Sequence, residues 1–321
     1  MSKTEKNHKI FAPTDEAISR AAEIIKNGGL VAFPTETVYG LGANALDDAA
    51  IRKIFGAKGR PADNPLILHV ANMREASSYA VLNRTAESLM ERFWPGPLTI
   101  VLYSLNNVPL SARAGLDTVA LRSPMNHTAL RLIQMSGTPI AAPSANRSGR
   151  PSPTEAEAVW DDLGDNVDMI LDGGRTAIGI ESTVVDATGG DISILRPGGV
   201  TREMLETIED VVPGEGANGG RSPGTRHRHY APSVDIRLWE FDGPEFFRNT
   251  RKWCYVGIRI PPDGFIKKIT FDTPEEYARG LFGALRELEN CGASLIIADF
   301  PDSAGLGEAI RNRLLHAAGK I

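Results

Sequence analysis

Leu30-Val31-Ala32-Phe33-Pro34-Thr35-Glu36-Thr37-Val38-Tyr39-Gly40-Leu41-Gly42 is the stretch on which the fold turns. Its first four residues are a short apolar run of the buried-strand type. Pro34 ends the run, because proline donates no hydrogen bond to a sheet and forces its predecessor into extended backbone. Upstream, Thr14-Asp15-Glu16 supplies a helix N-cap with acidic first-turn residues, followed by Ile18, Ala21, Ile24 and Ile25 at helical spacing. Gly28-Gly29 closes that helix. Downstream, residues 49–55 resume a helical pattern, so helix, strand, loop and helix follow one another, the signature of α/β architecture.

The alternation continues outward. Strands are predicted at 66–70, 98–102, 118–121, 139–142, 169–171, 183–185 and 192–195, with helices at 84–93, 128–135 and 155–163. The last two strands face each other across Thr188-Gly189-Gly190-Asp191, a hairpin signal. Residues 213–232, PGEGANGGRSPGTRHRHYAP, lack apolar periodicity and read as an interdomain linker. Beyond it, strands at 236–239, 255–260 and 294–298 and helices at 275–288 and 306–317 make a small βαβ-like unit. The domain plan is therefore 10–208, a linker or lid at 209–232, and 233–321.

Composition narrows the function. Of 321 residues, 42% are hydrophobic and 23% charged, as in ordinary globular domains. With 35 basic and 40 acidic side chains the formal charge is -5, which argues against a protein held to nucleic acid mainly by counterion release. The two cysteines, Cys254 and Cys291, lie too far apart for a zinc or C-x-x-C motif. The polar start has no apolar segment behind it, and no run of about 18 apolar residues occurs. A cytoplasmic protein without a membrane anchor is expected.

No Walker A or H-E-x-x-H motif occurs, no G-x-G-x-x-G follows a predicted strand, no G-x-S-x-G forms an elbow between a predicted strand and helix, and the close pair His227 and His229 has no carboxylate or cysteine cluster around it. No protein-held metal is expected. Instead, four polar segments follow apolar runs in glycine- and proline-rich surroundings: 33–42, 55–65 (FGAKGRPADNP), 142–149 (APSANRSG) and 179–186 (GIESTVVD). Such strand ends aim hydroxyls, cations and backbone N–H groups at an anion. The competing reading has Thr35 and Ser144 capping helices, and Lys58 and Arg60 solvated at a helix end.

PTETVYGLGANA, the K-x-R of AKGRPADNPLILHV, FWPGPLTIVL, the S-x-N of APSANRSGRPSPT, GIESTVVD and ILRPGGVT, in this order, closely resemble the threonylcarbamoyl-adenylate synthase family built on the YrdC-like domain. The resemblance spans residues 12–205. SPGTRHRHYAPS resembles the linker of the longer, two-domain branch, departing from it at Thr225, Arg226 and His227. The resemblance implies a twisted mixed α/β sheet with a concave, positively charged site, plus a small Rossmann-like α/β C-terminal domain. The implied enzyme is a nucleotidyltransferase that makes threonylcarbamoyl-AMP and pyrophosphate from L-threonine, bicarbonate and ATP. Mg²⁺ would be held mainly by the ATP phosphates. A downstream tRNA threonylcarbamoyltransferase would receive the product, with direct tRNA contact left open.

By the same resemblance, Thr35, His69, Arg122, the backbone at Ala142, and Ser182 would surround L-threonine. Lys58, Arg60, Asn64, Thr118, Ser144, Asn146, Ser152 and Arg196 would line the ATP side, with Tyr230 reaching in from the linker as part of a lid. Lys58 and Arg60 would be the catalytic pair, neutralising charge on the phosphates. Glu36 and Glu181 are read as groups that hold the surrounding backbone. Core packing for His69 and interdomain packing for Tyr230 are the competing readings. A rival function is a double-stranded RNA-binding module gripping phosphates on a concave sheet, against which the net charge counts. A hydrogenase-maturation carbamoyltransferase would require cysteine-rich zinc segments, which two lone cysteines do not supply.

Overall fold

The computed structural model describes residues 8–189, 191–208, 211–213, 229–239 and 250–320. Eleven strands form one mixed, twisted sheet. They are β1 (Ile10–Phe11), β2 (Val31–Phe33), β3 (Gly40–Asn44), β4 (Ile67–His69), β5 (Leu98–Tyr103), β6 (Thr118–Arg122), β7 (Ile140–Ala141), β8 (Met169–Leu171), β9 (Thr183–Asp186), β10 (Ile192–Arg196) and β11 (Val211–Pro213). Their spatial order is β1-β8-β2-β3-β7-β4-β6-β5-β9-β10-β11. Parallel pairs such as β4–β6 and β5–β9 alternate with antiparallel ones such as β5–β6 and β4–β7.

Helices cover this sheet unevenly. Residues of α1 (Asp15–Lys26) and α4 (His127–Ser136) pack on Val31, Phe33, Ile140 and Met169. Residues of α2 (Asp48–Lys58), α3 (Arg84–Phe93) and α5 (Ala156–Leu163) form the largest core with Leu41, Leu68, Ile100 and Leu121. Strand side chains alternate between faces, so the opposite face of β4, β6 and β5 carries Ile67 and His69, Thr118, Ala120 and Arg122, and Thr99 and Val101. The apolar cluster on that face is small, Ile67, Val101, Ala120 and Val184 with Leu195 against it. Polar groups therefore dominate the hollow where the candidate site lies.

The C-terminal unit has β12 (Ile236–Trp239), β13 (Trp253–Gly257), β14 (Lys267–Thr270) and β15 (Leu295–Asp299) in the order β12-β15-β13-β14, all parallel. Helices α6 (Pro274–Glu289) and α7 (Leu306–Ala317) bury their apolar stripes with these strands in a second core.

Most expected elements form, and three differences have physical causes. β3 falls in a segment read as loop, because Gly40 and Gly42 depress strand propensity. A side chain on Gly42 would meet the Phe33 ring at 2.7 Å and Ile140 at 2.8 Å, so the close approach of strands explains the glycine. Residues 211–213, placed in the linker, pair with β10 as an added parallel strand, and two successive valines suit that role. Residues 209–210 and 214–228 of the linker lie outside the described residues. Finally, Cys254 and Cys291, remote in sequence, come within hydrogen-bonding reach where β13 begins near the end of α6, and both are free thiols.

Candidate active site

Every residue expected around threonine lines one cavity: Thr35, His69, Arg122, Ala142 and Ser182. Thr35 does not cap a helix. Its hydroxyl donates to the Val38 carbonyl at 2.7 Å and accepts from the Thr37 and Val38 N–H groups, closing the turn that follows Pro34. His69 ends β4, with its ring edge-on to Phe33. Burial, reinforced by the Arg122 charge, holds its pKa down at about 3, so the imidazole is neutral. Arg122 ends the neighbouring β6, in register with His69. Its Nη2 donates to Glu36 at 2.7 Å and its Nε to the Gly96 carbonyl, leaving Nη1 outside both bonds. Glu36 also accepts from the Met125 N–H at 3.1 Å, so this carboxylate orients the arginine as well as the backbone.

The ATP set divides. Arg60, Ser144, Asn146, Arg196 and Tyr230 line the same cavity. Lys58, Asn64, Thr118 and Ser152 do not, and three of them act on residues that do. Lys58 is buried, not solvated, and its ammonium donates to the Ser144 and Asn146 carbonyls at 2.5 Å each. The Asn64 and Pro65 carbonyls accept from Arg60. Ser152 donates to Glu181 at 2.5 Å. Thr118 begins the strand that Arg122 ends, one strand length from the cavity. The S-x-N pair is joined internally, Ser144 to Asn146, at 2.5 Å.

Charge is concentrated here. Lys58, Arg60, Arg122, Arg196 and Arg313 stand against the carboxylates Glu36 and Glu181. Burial, with help from Arg60, pushes Lys58 well below the usual lysine range, and burial brings Arg60 down to about 10. Burial is the main cause of both shifts, and cations held in a desolvated pocket are frequent at anion sites.

Tyr230 has φ 64, the left-handed region that a bulky residue rarely adopts. Its ring stacks on Phe282 at 5.3 Å and meets His316 edge-on, both from the C-terminal unit, while it also lines the cavity. Interdomain packing and a place at the site therefore coexist. His229, from the linker, lines the cavity too, and burial with the Arg60 charge holds its pKa down at about 3. Sequence reasoning missed Arg313 altogether. It lies on the buried stripe of α7 with Ala309, Ile310, Leu314 and Ala317, and a charge on an apolar stripe was the available signal. Among the described residues no group of three histidine, cysteine or carboxylate side chains could hold a metal ion.

Two family models match the chain. One, described as telomere recombination, covers residues 23–198, and the other, described as the threonylcarbamoyl-AMP synthase C-terminal domain, covers 200–319. The chain belongs to the threonylcarbamoyl-AMP synthase family. The threonylcarbamoyl-AMP synthase of Pyrococcus abyssi is 45% identical over 319 residues, covering 93% of each chain. That of Bacillus subtilis is 41% identical, covering 96% of this chain and 95% of its own. The crystal structure of P. abyssi Sua5 complexed with L-threonine superposes with a TM-score of 0.90 at 43% identity, covering 97% of this chain and 96% of that one. These two relatives thus match this chain along nearly their whole length.

Proposed function

We propose that the chain catalyses the reaction named by its family, forming threonylcarbamoyl-AMP and pyrophosphate from L-threonine, bicarbonate and ATP. The observation that carries this reading is the single cavity in which His69 and Arg122 meet Arg60, Arg196, Ser144 and Asn146. One group suits an amino acid and the other a polyphosphate, so groups for two substrates stand side by side.

The chemistry needs no protein nucleophile. The threonine amine adds to bicarbonate with loss of water, and a carbamate oxygen attacks the ATP α-phosphorus. The bond from that phosphorus to the β-bridging oxygen breaks and pyrophosphate leaves. Orientation and charge neutralisation are what the protein supplies. Arg122, steadied by Glu36, pairs with the threonine carboxylate, and Thr35, His69, Ser182 and the Ala142 backbone enclose the rest of the amino acid. Arg60, Arg196, Ser144, Asn146 and Tyr230 face the nucleotide. Lys58 holds Ser144 and Asn146 in place, Asn64 holds Arg60, Ser152 holds Glu181, and Thr118 marks the far end of the nucleotide side. The excess of cations over carboxylates supports a positively charged site within an acidic chain. Mg²⁺ enters with ATP as part of the substrate.

The all-parallel C-terminal unit supports a Rossmann-like description. No described helix is long and apolar enough to cross a membrane, and the free thiols suit a reducing cytoplasm. The unstable product passes to a tRNA threonylcarbamoyltransferase. The RNA-binding alternative is not favoured, because these cations gather around one pocket instead of spreading along a surface. Pyrophosphate release that requires both threonine and bicarbonate tests the proposal, and release indifferent to either would refute it.

A further inference from the structure

We infer that Arg313, from the C-terminal domain, is a positioning residue for the nucleotide side of the site: it engages Glu181 and so keeps Arg196 available to phosphate. The inference rests on the proposed reaction and adds a role for the second domain in it.

Arg313 is fully buried, although it lies on α7, far from the sheet in sequence. Its Nε donates to Glu181 Oε2 at 2.7 Å, and its Nη1 to the Pro197 carbonyl at 2.8 Å and to Asn312. Nη2 reaches the Glu181 carbonyl at 3.5 Å. One guanidinium thus grips the chain on both sides of the cavity wall, just before Ser182 and just after Arg196. Arg196 in turn holds the Ser182 carbonyl at 2.9 Å and its hydroxyl at 3.2 Å. The same Arg313 lies 5.4 Å from the centre of the Tyr230 ring.

Electrostatics give the contact a consequence. Burial alone would push the Glu181 carboxyl up, but Arg313 first and Arg196 second hold it below the usual range, so it is ionised. The other ionisable groups around it are Tyr230, His229 and His316, of which burial keeps the tyrosine protonated and both histidines neutral. Remove Arg313 and, among the described residues, the cation left facing the buried carboxylate is Arg196. Glu181 would then compete with the ATP phosphates for it. Loss of Arg313 removes the larger of the two charges that hold the Glu181 carboxyl down, so its titration moves up, and acidification then neutralises Glu181 and releases Arg196 again.

The test compares R313M, E181Q and the double variant E181Q/R313M with the wild type, measuring ATP KM and kcat from pH 6 to 8 in the two-domain protein. In R313M the ATP KM relative to wild type should rise about tenfold at pH 8 and fall back towards pH 6, with a smaller change in kcat. E181Q should be milder, and the double variant should match E181Q within about threefold, since Arg313 acts through Glu181. A merely structural contact predicts instead that E181Q and R313M are equally impaired, with no relative pH dependence, and that outcome overturns the inference. If R313M does not fold, the double variant decides: a KM more than about tenfold above that of E181Q refutes action through Glu181. Wild-type protein that makes no threonylcarbamoyl-AMP would sink the proposed function, whereas active wild type with unaltered R313M would sink this inference alone.

Discussion

The Lys58 ammonium donates to the Asn146 carbonyl at 2.5 Å, joining the K-x-R turn to the S-x-N loop 88 residues later. A second bond of the same length goes to Ser144. The lysine at the end of α2 is therefore occupied by protein. It shapes the wall that Ser144 and Asn146 present to the cavity, while Arg60, two residues on, lines the cavity itself.

K58M and R60A should consequently fail in different ways. K58M leaves two buried carbonyls without their donor and should cost about 2–4 kcal/mol of stability together with turnover. R60A should lower turnover by about 100-fold, as for loss of one preorganised electrostatic group, with a smaller loss of Tm than K58M, because its bonds to the Asn64 and Pro65 carbonyls are long, at 3.5 and 3.2 Å. Thermal unfolding beside activity measurements separates them, and equal Tm losses in both variants would contradict the division.

Arg122 should be irreplaceable by lysine for threonine but not for ATP. Its fork serves Glu36 and Gly96 and still offers Nη1, whereas an ammonium is a point charge without that geometry. R122K should raise the threonine KM by about tenfold or more and leave the ATP KM within about twofold. Parallel changes in both constants would remove Arg122 from the amino-acid side.

Acid should weaken the fold through its neutral histidines. An ordinary histidine titrates near 6.5, whereas His69 in the native protein is held to about 3, chiefly by burial. Between those values the unfolded chain binds a proton that the native state does not. Stability from this group is therefore intact above pH 6.5 and falls as pH drops towards 3, by up to about 1.4 kcal/mol per pH unit. His229 acts in the same direction. Denaturant unfolding at pH 7 and pH 5 should show H69Q losing less stability than wild type over that interval. Identical losses would mean that His69 does not titrate this way.

Gly42 shows where the sequence stops being legible. Strand β2 and helices α3 and α7 follow from apolar periodicity, because that pattern is imposed by burial on one face. β3 does not, since its glycines answer to Phe33 and Ile140 from other strands, and such contacts leave no local pattern. The same distinction runs through the site. Arg60, Arg122, Ser144, Asn146 and Ser182 sit in motifs that resemblance can carry over. Arg313 sits in an ordinary amphipathic helix, and its contact with Glu181 exists only once the second domain is docked. G42A should lower stability by about 1–3 kcal/mol through overpacking, read as a drop in Tm. An unchanged Tm would mean that the strands can move apart at no cost.

The central claim is that one cavity joins threonine, bicarbonate and ATP. Its most direct test is mass spectrometry of the products after incubating the purified protein with L-threonine, ATP and isotopically labelled bicarbonate. The account predicts threonylcarbamoyl-AMP carrying the label in its carbamoyl carbon, with one pyrophosphate formed per adenylate and neither product formed when threonine is withheld. ATP turnover that yields no labelled threonine adenylate would contradict it.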